Sequence, residues 1–404
     1  MSDAIDALID AVKAGRVDDV RAILGRSPDV KARINEPRAD LSFDATPLLT
    51  AVYQKNRALV DALLEGGADI NVPSGWWAGG FGVLHACDPD LAPFLIDRGA
   101  VIDVHAAARL GMLDRLQALL KEDPSRVHAR GGDGQTPLHF ASTVDIARVL
   151  LDAGADIDAL DVDHESTPAQ WMVGDRQDVA RFLVARGART DILLTAALGD
   201  LDRTREHLDR DPSSVHVRVS ETYFPKKNPR SGGCIYNWTI GGHKTAHIAA
   251  RDHGHEAIYE LLMSRSPATL QLTVACRVGD DRVMRSLVET TPNLSASLSA
   301  EERAALADAA HTNKAEIVRR FLAAGWPLND RGPSGGTALH WASWHGNRAM
   351  VEDILRYGPD LDVRDTEFGG TPLDWAHHGS ENSWHRHSGD YDGTIRALRS
   401  ARSA

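Results

Sequence analysis

The chain has 404 residues, a hydrophobic fraction of 43% and a formal net charge of -12. No apolar run is long enough to span a bilayer, and the acid-bearing N-terminus lacks the basic and apolar regions of a signal peptide, so a cytoplasmic protein is expected. The negative balance opposes phosphate backbones and argues against nucleic acid, since Lys226, Lys227 and Arg230 make too small a basic patch to override it.

Residues 3 to 36 place Ile5, Leu8, Ile9 and Val12 on one helix and Val17, Val20, Ile23 and Leu24 on a second, with Gly15 between them. Thr46-Pro47-Leu48 opens the next unit, which closes at Gly66-Gly67-Ala68-Asp69-Ile70-Asn71. A third is abbreviated, Val83-Leu84-His85-Ala86 standing for a first helix that has lost a turn. Residues 104 to 135 follow and end in Asp123-Pro124-Ser125-Arg126-Val127-His128. Thr136-Pro137-Leu138-His139 opens a unit closed by Gly154-Ala155-Asp156-Ile157-Asp158, and Thr167-Pro168 opens another. Residues 192 to 219 repeat the earlier ending as Asp211-Pro212-Ser213-Ser214-Val215-His216. Two unit endings therefore alternate in part, as after duplication of a pair.

The period then fails across 221–243, where two prolines and several glycines argue against a helix and predict an ordered loop or hairpin. It resumes at Lys244-Thr245-Ala246-His247 and runs through Gly336-Thr337-Ala338-Leu339-His340 to Gly370-Thr371-Pro372-Leu373, with a second interruption at 379–391 before Ile395 and Leu398.

The stretch from Gly335 to Asp365 resembles the ankyrin repeat, with Thr337, Leu339, His340 and Ala342 on the positions of Gly-x-Thr-Pro-Leu-His-x-Ala and Ala338 replacing the proline. Its turn, two helices and return loop span about 33 residues, the family's period. The resemblance, of the divergent bacterial type, covers almost the whole chain. It implies an all-α ankyrin repeat solenoid of about twelve units in one continuous array: repeats over 1–220, an aromatic and glycine-rich insertion over 221–243, and repeats over 244–404 with the insertion 379–391. It also implies that His85, His139 and His340 are structural, tying turns together, and that the chain binds a protein or peptide partner on a concave face.

No common enzyme motif is present, which leaves catalytic residues unassigned without excluding an unusual active site; no cofactor or metal is expected. His385-x-His387 with Asp390 is a spacing that histidine-rich loops produce by chance. The three cysteines, Cys87, Cys234 and Cys276, are too far apart for a disulfide framework or a zinc pattern and read as core residues.

Three aromatic clusters are candidate binding residues: Trp76 and Trp77 in an extended finger; Tyr236 and Trp238 in the first insertion; and Trp341, Trp344, His345, Trp375, His378, Glu381, Trp384, His385 and Asp390 near the C-terminus. Each has a structural alternative, as filler over the short third unit, as a mini-core of the insertion, or as a cap on the last repeat. Trp341 and Trp375 fall on equivalent positions of consecutive repeats and are expected side by side, exposed, adding little to folding. Two function classes follow. One is a monomeric, non-catalytic scaffold for a protein or peptide; the other is a small-molecule binder or unusual enzyme with a Trp/His-lined pocket between the concave face and the two insertions.

Overall fold

The computed structural model describes residues 2–403. All regular structure among them is helical; the only β-type pairing is one antiparallel bridge between Arg218 and Thr245, at the base of the 221–243 insertion. The hairpin that the sequence allows for 221–243 is reduced, among the described residues, to that bridge.

Helices are short and paired because the sequence punctuates them. Thr46 accepts the Leu49 N–H at 3.2 Å with Pro47 at the first helical position, and Thr167 caps Pro168–Met172 in the same way. A hydroxyl satisfies an otherwise orphaned donor, and proline gives up an N–H that would have no partner. The longer second helices, such as Arg57–Glu65, Val144–Asp152 and Arg348–Leu355, bury one apolar stripe each, for example Leu59, Val60 and Leu63. The abbreviated first helix of the third repeat is Val83–Ala86, as the sequence predicts.

The Thr-x-Leu-His signature acts as a staple between consecutive loops. Thr136 N–H and Oγ1 both reach His139 Nδ1, at 3.1 and 2.9 Å, and His139 Nε2 donates to the Ser166 carbonyl at 3.1 Å. Thr337 and His340 repeat this with the Gly370 carbonyl, again at 3.1 Å. Because Nδ1 accepts, the ring proton must sit on Nε2, and a buried neutral imidazole is required. Burial pushes His139 down to about 3 and also holds His340 below the usual imidazole range.

The chain divides into two compact units: Met1–Thr204 with Val217–Thr245, and Arg205–His216 with Ala246–Ala404. In the first unit, one apolar core runs from Ile5 to Ala106. The insertion packs on the loop before Pro168. Glu165 accepts the Lys227 and Asn228 N–H groups, the Asp163 carbonyl accepts Gly232 N–H, and His164 Nδ1 donates to the Gly233 carbonyl at 2.9 Å. Within the insertion Asn237–Gly241 makes a π-helical turn, correcting the expectation that its composition forbids a helix.

In the second unit a core extends from Leu272 to Leu398. The final interruption is shorter than the sequence suggests. The helix Pro372–Asn382 runs through its first residues, 383–390 are irregular, and Tyr391 opens the last helix, Tyr391–Arg402. Gly379 permits this, because a Cβ there would stand 2.5 Å from the Trp344 carbonyl oxygen. Only a residue without a side chain lets the two helices approach so closely.

Candidate functional site

The second unit holds a cavity of about 580 Å³ lined by His311, Ser334, Trp341, Trp344, Phe368, Gly370, Asp374, Trp375, His378 and Trp384. Helical spacing assembles its walls. Trp341 and Trp344 lie three apart on the helix Ala338–Trp344, Trp375 and His378 three apart on Pro372–Asn382, so each pair shares a face. Trp341 and Trp375 meet edge to face with centroids 5.0 Å apart; Trp344 stands 6.2 Å from both Trp375 and Trp384. Phe368, from the finger loop, and Trp384, from the irregular stretch, form the mouth at 71% and 69% exposure.

Trp341 and Trp375 are only 6% exposed and belong to the apolar core. This corrects the expectation of an exposed ladder that adds little to folding. Both rings line the cavity, and their N–H groups are taken up by acceptors of the protein itself. Trp341 Nε1 donates to the Pro333 carbonyl at 3.1 Å and Trp375 Nε1 to Asp365 Oδ2 at 2.9 Å. Asp365, buried behind Trp375, also accepts backbone N–H groups from Glu367, Phe368, Gly369 and Gly370. Those donors and the indole hold its carboxyl below the usual range against the opposing cost of burial.

His345 lies under the mouth and not in the lining. Its Nε2 donates to the His311 carbonyl at 2.8 Å and its ring supports Trp384 and His385, at 6.0 and 5.2 Å. Burial lowers its pKa, so it packs as a neutral ring. Asp390 caps the last helix through Gly393 N–H at 2.8 Å and lies 3.7 Å from Arg348, and Glu381 is exposed and outside the lining. His378 lines the cavity beside Trp344, with centroids 5.6 Å apart. The lining residues that sequence reading passes over are His311, at the end of the helix Ala305–His311, Asp374, on the helix Pro372–Asn382, and Ser334, Phe368 and Gly370, whose places depend on how the loops fold down.

The other aromatic clusters lie in the first unit. Tyr236 is fully buried and donates its hydroxyl to Asp191 at 2.8 Å, so it is a core residue and not a binding one. Trp238 stays 62% exposed and stacks on His164 at 4.7 Å. Trp76 donates Nε1 to Asp133 at 2.9 Å, and Trp77 lies under the Arg230 guanidinium at 4.5 Å. Both are thereby engaged by the finger and the insertion. Asp133, Asp163 and His164 bring potential metal-ligand atoms within 4.8 Å of one another, as do His85, Asp103 and His105. In the first group Trp76, Gly232 N–H and the Gly233 carbonyl already take one atom of each residue. Burial pushes the Asp133 carboxyl up to about 6, with Asp163 and Asp161 adding to the effect and His164 opposing it.

Residues 104–193 and 246–365 match the family model for ankyrin repeats (3 copies), and residues 43–74 match that for a single ankyrin repeat. Among curated proteins the chain is 49% identical over 76 residues to the Serine/threonine-protein kinase VIK of Arabidopsis thaliana, covering 18% of this chain and 17% of that one. It is 24% identical over 369 residues to the E3 ubiquitin-protein ligase KEG of the same plant, covering 88% of this chain and 19% of the relative. The chain thus spans less than a fifth of the length of either relative. Among solved structures, the human ASB11 ankyrin repeat domain aligns with 17% identity over 74% of this chain and 96% of its own, at a TM-score of 0.30. With the family model matching more than half of the residues, on an all-helical fold stapled by its Thr-x-Leu-His turns, the chain belongs to the ankyrin-repeat family.

Proposed function

We propose that the chain is a non-catalytic binding module that captures a protein or peptide partner by seating one partner side chain in the four-indole cavity of the second unit. The observation that carries this reading is the pairing of a buried aromatic floor, Trp341 and Trp375, with an exposed aromatic mouth, Phe368 and Trp384. A buried floor is rigid, and exposed rings at a mouth cost folding little and gain area when covered. Membership of a family of protein-interaction scaffolds supports a general protein-binding role. The net charge of -12 favours a protein over a nucleic-acid partner, and among the described residues no helix is long and apolar enough to cross a membrane. The reading takes the chain to act as a cytoplasmic monomer.

A small-molecule ligand is the second reading, favoured by the Trp384 side chain reaching the cavity from the 379–391 insertion; the 221–243 insertion contributes nothing to the lining. The test is capture from lysate by the whole chain beside a Phe368→Ala/Trp384→Ala variant of unchanged melting temperature. Partners retained by the wild type and lost by the variant support the socket. The same proteins captured by both would sink it, and a small molecule released from the purified wild type alone would favour the second reading.

A further inference from the structure

We infer that Asp133, Asp163 and His164 form a binding site for a divalent transition-metal ion, zinc above all, which fastens the 221–243 insertion to the repeats. The site lies in the first unit and is independent of the socket reading. Each of the three residues gives one side-chain atom to a partner within the protein and keeps another back. Asp133 Oδ1 accepts the Trp76 indole N–H, Asp163 Oδ1 accepts Gly232 N–H at 3.0 Å, and His164 Nδ1 donates to the Gly233 carbonyl at 2.9 Å. Among the described residues, Asp133 Oδ2, Asp163 Oδ2 and His164 Nε2 make no hydrogen bond. The backbone holds the two loops in register, because the Asp133 carbonyl accepts both Val162 N–H and Asp163 N–H.

The histidine tautomer exposes what is missing. A neutral imidazole that donates from Nδ1 carries a lone pair on Nε2. Here that lone pair stands 3.7 Å from Asp163 Oδ2, an atom that can only accept when the carboxyl is ionised. Two acceptors facing each other in a buried place call for a cation, either a proton on the ring or a metal ion between them. The surrounding charge favours the metal. Asp133, Asp161 and Asp163 are 6%, 3% and 5% exposed, and among the described residues none of them has an ion pair with a lysine or arginine. An imidazolium alone leaves two negative charges uncompensated and a divalent ion leaves one, which lowers the cost of burial. A ligating imidazole whose other nitrogen donates to a backbone carbonyl is also the usual arrangement at metal sites.

The cluster of His85, Asp103 and His105 provides the contrast. His85 accepts Gly82 N–H on Nδ1 and donates from Nε2 to Asp103 at 2.7 Å, so both of its nitrogens are spent and no lone pair is left for an ion. At His164 one nitrogen is left, and the donor set selects the ion. Zinc takes imidazole and carboxylate at about 2.0 to 2.2 Å, which sets tetrahedral ligand atoms about 3.4 Å apart. His164 Nε2 and Asp163 Oδ2 are near that separation already, and one ligand atom from each of the three residues lies within 4.8 Å of the others. Calcium asks for roughly six to eight oxygens and magnesium for a near-octahedral oxygen shell, which one nitrogen and two carboxylates do not supply.

The whole chain, stripped with a chelator and dialysed, is titrated with zinc chloride, calcium chloride or magnesium chloride; bound metal, melting temperature and trypsin cleavage at Lys226, Lys227 and Arg230 are followed. A single zinc ion should bind, raise the melting temperature and slow cleavage of the insertion, with calcium and magnesium weaker by at least about tenfold. Asp163→Asn keeps the acceptor for Gly232 N–H and turns an amide donor toward His164 Nε2, so without metal it should melt no lower than the metal-free wild type. Its zinc affinity should fall by at least about tenfold, since the loss of an outer-shell partner alone costs about 10- to 100-fold. If Asp163→Asn melts lower, Asp133→Asn carries the same zinc comparison. No saturable zinc binding, or zinc that binds without changing melting or cleavage, overturns the site. Full zinc affinity in the asparagine variants places the ion elsewhere in the chain and overturns the assignment of these ligands. Equal binding of calcium or magnesium overturns the choice of a nitrogen-ligated transition metal.

Discussion

Trp341 and Trp375, one repeat apart in sequence, meet edge to face at 87°, and each commits its N–H to an acceptor of the protein, Pro333 and Asp365, beside the cavity that both rings line. Their position in the core sets how they respond to substitution. Trp341→Ala or Trp375→Ala should cost about 3 to 5 kcal/mol, the range for emptying a large buried aromatic site. Denaturant unfolding of the second unit would measure it. Trp384→Ala, at the exposed mouth, should stay within about 0.5 kcal/mol of the wild type and change only binding. A large loss of stability in Trp384→Ala would show that the mouth is part of the cap.

Gly379 offers an independent probe of the same wall. A methyl there would collide with the Trp344 carbonyl, so Gly379→Ala should destabilise by about 1 to 3 kcal/mol even though alanine is the better helix former. It should also shift Trp344 and alter the tryptophan emission. Stabilisation by this substitution would mean that the two helices are not in close contact.

Asp133 is held with its carboxyl raised to about 6, against an ordinary value near 3.8. The unfolded chain releases this proton first, so stability from this residue falls as pH rises from about 4 to about 6 and stays lower above that. Asp133→Asn should therefore stabilise the first unit at neutral pH, by an amount on the order of 1 to 3 kcal/mol, and the gain should vanish as pH falls toward 4. Asparagine also tolerates the left-handed backbone at this position, where φ is 55°. Melting temperatures of the two proteins across that window decide the matter.

His139 acts in the opposite sense. Its folded pKa is depressed to about 3, so below about 6.5 protons bind the unfolded chain preferentially and stability drops as pH falls from there. His139→Gln should be less stable at pH 7, having lost a staple, yet show a shallower acid slope between about 6.5 and 4. Parallel slopes for the two proteins would remove His139 from the acid response.

The first insertion is clasped by Glu165, which accepts the Lys227 and Asn228 N–H groups. Native protein should resist trypsin at Lys226, Lys227 and Arg230. Glu165→Ala should accelerate cleavage there several-fold without lowering the melting temperature in proportion. Rapid cutting of the wild type at these residues would contradict the clasp.

What the sequence discloses and what it hides divide along physical lines. The Thr-x-Leu-His turns were legible because their staple uses neighbouring residues, and the pairing of Trp341 with Trp375 was legible because equal positions in consecutive repeats stack. Exposure was not, since the loop bearing Asp365 and Phe368 folds back over Trp375 through five hydrogen bonds to one carboxylate. Counting prolines and glycines over 221–243 also misled, because none of them falls within 234–240, which is left free to coil around the buried Tyr236. Asp163, His164 and Glu165 gave no aromatic signal, and their role depends on a segment more than sixty residues away.

Phe368 and Trp384 stand on either side of the one helix 372–382, and with Gly370, Asp374 and His378 they place the whole mouth of the cavity in one short stretch of chain. The floor is shared, Trp341 coming from the preceding repeat and Trp375 from this one. Such a layout separates inheritance of the stack from inheritance of its preference. Exchanging a single segment of gene covering 365–391 would give a related array a new recognition surface over an old foundation, with the hydrogen bonds that seat it carried largely within the exchanged piece.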